Sequence, residues 1–304
     1  MRNPLKFYLP LTCLIFLAAS CTDGTSTDET NTLPETTLDS AEINASAKDR
    51  VRFQRAKIVF FSLPSPMETS RILKKSGAIY NKESLNEPGN INNYQTSKSK
   101  AIALGIYVAD LSYANAFGQQ QDCFDYFSAV RSLSDDLSLS GVFTKEFIEK
   151  VDEHINSEDS VLKFLSESYW KANTELKEND RESLAALVAA GGWIEGLYIA
   201  VSLVGSSDEN SMIAERIAEQ KGSLKQLIKY LKSFKDPKNL KEVLNDLEEL
   251  EVLFDEIQTT STPAQDSVDE NGVAVIGSKI SHTYPEGVLQ KIIAKTTDIR
   301  KKYA

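Results

Sequence analysis

Histidine is nearly missing from this chain: His154 and His282 are the two among 304 residues. Neither stands in a catalytic frame, because no Gly-x-Ser-x-Gly, His-Glu-x-x-His or Cys-x-x-Cys pattern occurs. His154 is placed beside a helix C-terminus, where an imidazolium complements the dipole, and His282 in a loop. Cysteine is as scarce. Cys13 and Cys21 fall at the very start, and Cys123 is left alone, which excludes an internal disulfide from the body of the protein. Neither a Walker glycine pattern nor a dinucleotide one is present, so no nucleotide cofactor is expected. Basic residues number 34 against 44 acids and form no cluster, which excludes nucleic acid as a partner. Period-2 alternation of useful length is missing before residue 270, and no repeat of 20–50 residues is present.

What is present begins with location. Residues 1–20 have a positive start at Arg2 and Lys6, an apolar core from Leu9 to Leu17, and small residues Ala18-Ala19-Ser20. This is the layout of a secretory signal. Leu17-Ala18-Ala19-Ser20-Cys21 resembles a bacterial lipobox, with Leu17 one position further from the cysteine than usual. Cys21 is therefore the expected lipidation site, and its acyl chains the attachment to the membrane. Arg2 and Lys6 leave with the signal and no acid does, which takes the formal net charge from −10 to −12. Residues 21–46 then hold six acids, ten Ser or Thr and no Lys or Arg, the composition of an extended, disordered tether. Asp39-Ser40-Ala41 there resembles the Asp-Ser/Thr-apolar site of O-glycosylation in Bacteroidota. Asp159-Ser160-Val161 and Asp266-Ser267-Val268 match it too, which makes Ser40 and Ser267 candidates.

Residues 47–304 read as one all-α domain, a bundle of roughly nine or ten helices around two nearly all-apolar ones. Ser65-Pro66-Met67-Glu68 opens a helix that Gly77 closes, and a polar loop follows to Gln95. Thr96 to Phe117 is the first apolar helix, ended by Gly118. Asp122–Leu137, Thr144–Ile155 and a helix from Ser157 through Leu176 follow, the last with Tyr169 and Trp170 as core aromatics. The second apolar helix spans Arg181 to Gly205, and the chain is organised around it. Its small residues Ala185, Ala189, Gly192, Gly196 and Ala200 form the expected close-packing stripe. Asp208–Phe234 comes next, then a helix capped by Asp236-Pro237 and a last one opened by Thr283-Tyr284-Pro285-Glu286. Residues 259–282 interrupt the pattern as a loop insertion or small hairpin. Ser267–Gly272 imitates part of a calcium loop, but Ser267 and Ser278 stand where carboxylates are needed, so no metal is expected.

Phe61-Ser62-Leu63-Pro64-Ser65-Pro66, Gly105 through Tyr113 and Gly191 through Tyr198 resemble segments of a family of uncharacterised all-α lipoproteins typical of Bacteroidota. The resemblance implies a lipid-anchored helical protein of the cell envelope, with the outer membrane preferred, and it implies no activity.

Two acids embedded in the apolar helices, Asp110 and Glu195, are the sharpest candidate residues. A carboxylate in such a helix is neutral, paired or turned to a cavity. The expectation is a buried polar network in which they meet the hydroxyls of Tyr107, Tyr113 or Tyr198. Glu195 should then titrate above an exposed glutamate unless a cation holds its charged form. The function expected is a non-enzymatic envelope protein that binds a protein partner or ligand. The alternative is an envelope hydrolase or carbohydrate-binding accessory using the two carboxylates.

Overall fold

A Thr-x-x-Ser frame opens the best-defined helix. The Thr96 side chain accepts from the Ser99 N–H, and the Ser99 hydroxyl accepts from the Thr96 N–H, a reciprocal capping box. The helix it starts, Ser97–Ala116, stops where Gly118 takes the left-handed conformation that L-residues resist (φ 70). A computed structural model describes residues 66–75, 77–139, scattered positions from 141 to 176, 181–204, 212–234, 238–263, 267–268, 274–275 and 278–304. Three quarters of this region is helical. The signal segment, Cys21, the tether with Ser40, His154, Tyr169 and Trp170 lie outside the described residues.

The α-helices bounded among the described residues are α1 (Pro66–Lys75), α2 (Ser97–Ala116), α3 (Gln120–Asp136), α4 (Glu182–Ser202), α5 (Met212–Leu231), α6 (Lys241–Asp255) and α7 (Val288–Tyr303). Two 3-10 turns, Lys82–Ser84 and Pro88–Asn93, shape the loop before α2. α2 and α4 share the most extensive contact of any pair; α1 and α3 pack on α2, while α5 and α7 pack on α4 with α6 behind them. Apolar residues around both α2 and α4 are therefore buried. α4 has the length and composition of a membrane span, yet most of it is covered by the rest of the fold.

Two starts differ from expectation. α6 begins at Lys241 after a turn at 238–240, with Leu240 at the cap, and not beside Asp236-Pro237. α7 begins at Val288 behind Gly287 (φ 75), so Thr283 to Glu286 form the approach to the helix and not its first turn. Tyr284 is needed elsewhere: its hydroxyl donates to the Ala214 carbonyl at 2.6 Å.

The interruption before α7 holds two antiparallel strand pairs, the longer one a two-stranded ribbon. β1 (Gln258–Pro263) pairs with β4 (Ser278–Thr283), and β2 (Ser267–Val268) with β3 (Ala274–Val275). His282 thus lies on a strand and not in a loop, with Nδ1 2.7 Å from a Glu215 carboxylate oxygen on α5. Ser267 sits on β2, its backbone paired opposite Val275.

The small-residue contact shares Gly192 with the expected stripe but is tightest at Gly105 and Gly191. A Cβ on Gly105 would stand 2.0 Å from the Val188 carbonyl oxygen, and one on Gly191 would stand 2.1 Å from the Ile102 oxygen. Gly191, outside the expected stripe, makes the approach, while Gly196 has nothing within 4 Å of the corresponding point. Gly196→Ala and, on α5, Gly222→Ala should therefore each stabilise the fold by about 0.5–1 kcal/mol, since helical glycine carries that cost relative to alanine. Thermal melts check this; a lower melting temperature for either variant would place a neighbour where the structure has open space.

Candidate functional site

Asp110 lies on α2 and Glu195 on α4, and neither exposes any surface. They face one another across the seam that Gly105 and Gly191 hold close, with their carboxyl groups within hydrogen-bonding reach. A third charge arrives from the last helix. Arg300 donates from Nε to one Glu195 oxygen at 3.1 Å and from Nη2 to the other at 3.2 Å. Its guanidinium also lies over the Tyr198 ring, 4.7 Å from the centroid. Bidentate pairing and stacking on an aromatic face are both particular to arginine, and lysine would supply neither.

The other side of Asp110 is closed by the loop before α2. The Asn86 N–H donates to Oδ2 at 3.2 Å, while Oδ1 is buried with no donor among the described residues. Asn86 is itself fixed: its side-chain amide donates to the Tyr94 hydroxyl at 2.7 Å and its side-chain oxygen accepts from Asn90 at 3.0 Å. Burial, then the neighbouring Glu195 charge, pushes the Asp110 carboxyl well above the usual carboxylate range. Burial raises Glu195 as well, opposed by Arg300, whose own ionisation the two acids strengthen against its desolvation.

The expected tyrosine partners are placed differently. The Tyr107 hydroxyl donates to the Glu87 carbonyl at 2.7 Å, securing the loop rather than either acid. The Tyr113 hydroxyl accepts from the Asn81 N–H at 3.3 Å and faces the Ile79 carbonyl at 3.4 Å. Tyr198 enters the site through its ring and not its hydroxyl. Phenol–carboxylate pairing thus gives way to a guanidinium, which neutralises a buried carboxylate where a phenol only solvates it. Arg300 was not singled out in the sequence because a basic final turn ordinarily faces water. Helical phase marks it all the same: Val288, Leu289, Ile292, Thr296 and Ile299 are buried, and Arg300 continues that stripe while Lys301 and Lys302 leave it.

Further from the seam, the Tyr80 hydroxyl donates to Asp122 Oδ2 at 2.7 Å and Lys82 to Oδ1 at 2.6 Å. Burial alone would raise the Asp122 carboxyl, but these two donors outweigh it and hold the group below its ordinary value. Cys123 is buried and free, and burial pushes its thiol up to about 12, far from a reactive thiolate at neutral pH. Trp193 donates from Nε1 to the Ser223 hydroxyl at 3.0 Å inside the core. Among the described residues, no group of three or more His, Cys, Asp or Glu is disposed to hold a metal ion. Comparison of the chain with protein-family models, curated proteins and solved structures returns no match.

Proposed function

We propose that this chain is a lipid-anchored protein of the cell envelope, preferentially at the outer membrane. In this reading its helical body is a non-enzymatic module that presents a surface to a protein partner or ligand. One observation carries the non-enzymatic part: Asp110 and Glu195 are fully buried and closed over by Arg300. A glycoside hydrolase needs its two carboxyls on opposite sides of an open cleft. Here substrate would have to displace α7, whose Val288, Leu289, Ile292 and Ile299 are core residues. The embedded acids therefore serve the fold. Helical positions at 149–150 and between 160 and 176 support two further helices, and with them a bundle of nine or ten built around α2 and α4.

Anchoring is tested at Cys21. Cys21→Ala should move the protein from the membrane to the soluble fraction with an unchanged melting temperature, because the anchor and the folded body share no residues. The parent should be processed in a globomycin-sensitive manner and carry a lipid mass on its N-terminal peptide. A mature N-terminus at any other residue would sink the proposal.

A further inference from the structure

The charges at the seam do not balance as they stand. Two carboxyl groups face one guanidinium, both acids are fully buried, and an oxygen of Asp110 is left without a donor among the described residues. Two carboxylates within hydrogen-bonding reach are two acceptors, and acceptors attract only through a proton between them. We infer that Asp110 and Glu195 together hold one proton, carried by Asp110, with Arg300 matched to the single negative charge that remains. Protonated Asp110 then donates to Glu195 while Oδ2 keeps its bond from the Asn86 N–H. The ionised Glu195 keeps both bonds from Arg300. Every carboxyl oxygen of the pair then has a partner, and the buried group is neutral overall.

Among the described residues, the other titratable groups that face the seam are phenols. From the loop before α2 the group facing it is Tyr94, from α2 Tyr107, from α3 Tyr126 and from α4 Tyr198. Burial raises Tyr94, Tyr107 and Tyr126 still further from the neutral range. Glu87 and Asp122 bear on Tyr126, and Arg300 stays charged. Loss of the proton therefore leaves one uncompensated buried charge. Of the two members of the ion pair it is Arg300 that reaches water, its side chain 17% exposed while that of Glu195 is 0% exposed. The final turns of α7 are thus the element that loosens as pH rises, which makes this helix a proton-dependent closure.

The sign follows from linkage. Asp110 binds its proton more tightly folded than unfolded, so its contribution is fully present below the ordinary value of 3.8 and is lost as pH rises through the folded value. Within that window, one proton changes the folding equilibrium by about tenfold per pH unit. Carboxylates held low by lysines, such as Asp122 and Asp255, run the opposite way, so the difference between two proteins isolates the effect.

The test uses the full chain and Asp110→Asn, which imitates the protonated acid. The folding equilibrium of the parent should weaken relative to Asp110→Asn by about tenfold per pH unit as pH rises across the window. Amide exchange in the last turns of α7 should accelerate with pH only in the parent, beyond the intrinsic rate. Superimposable pH profiles would overturn the inference. Should Asp110→Asn fail to fold, the parent alone decides: its infrared spectrum at pH 7 should show a protonated carboxyl band that shifts on isotopic labelling of aspartate. Absence of that band would overturn the inference equally. The inference goes beyond the anchoring proposal and shares no residue with its test, so the two can fail separately.

Discussion

An Arg300→Met variant is expected to lose about 3–5 kcal/mol of stability, the cost of stripping one partner from a buried ion pair. For a domain of this size that is a fall in melting temperature of about 10 °C. Methionine keeps much of the aliphatic stem, so the loss comes from charge and not from a cavity. The reciprocal change, Glu195→Ala, strands the guanidinium and should cost a similar amount. Because the two residues act on one another, the double variant should cost less than the sum by about 0.5–3 kcal/mol. Arg300→Lys should recover part of the loss, since a lysine restores the charge but neither the second hydrogen bond nor the stacking on Tyr198. Glu195→Gln should be milder than Glu195→Ala, because Asp110 stands beside it and can ionise in its stead. If Arg300→Met melts with the parent, the pair is hydrated and the seam is not what holds α7 in place.

A larger loss is expected at the glycines. In Gly105→Ala the new methyl would meet the Val188 carbonyl oxygen at 2.0 Å and the Gly192 nitrogen at 2.6 Å; in Gly191→Ala it would meet the Ile102 oxygen at 2.1 Å. These are backbone atoms of regular helices, so no rotamer change relieves the contact, and α2 and α4 must separate along their length. A cost above about 4 kcal/mol, enough to leave little folded protein, belongs to this kind of overpacking. Gly192→Ala is the internal comparison, with its nearest neighbour at 3.3 Å, and should be tolerated far better. Circular dichroism and expression yield of the three variants check the order. A Gly105→Ala protein that melts near the parent would mean the helices lie further apart than described.

Elements with a local signal were legible in the sequence. α2 was readable to within a residue at each end, because Thr96 and Gly118 are punctuation that acts within one turn. The embedded acids were legible as a pair because few residues tolerate their surroundings. What answers them was not. The partner of Glu195 stands 105 positions away, and a Lys/Arg-rich final turn has the composition of a solvated helix end. The wrong tyrosine roles follow from the same gap, since without the guanidinium a hydroxyl is the natural donor to propose. The glycine contact was legible at Gly192 but not at Gly191, because small residues occur on several sides of α4 and no single phase stands out. The ribbon was legible only as one of two alternatives, a small hairpin or a loop. Gln258–Pro263 reads Gln-Thr-Thr-Ser-Thr-Pro, with Gln258 to Thr262 exposed, so a strand forms there with no apolar alternation to announce it.

The separation between Glu195 and Arg300 has a consequence in time. Closing a loop of 105 residues costs about 4 kcal/mol of chain entropy, which the pair can offset only once α7 is already packing. A chain made from its N-terminus produces α2 and α4, with both acids, well before the guanidinium exists to meet them. Any fragment ending short of residue 300 must keep both carboxyls protonated or let water into the seam, and either leaves its two most apolar helices loosely joined. Commitment to the native state is thereby deferred until nearly the whole sequence is available. For a protein exported as proposed above, a chain that cannot finish folding from its first two hundred residues is one that a translocase can still thread.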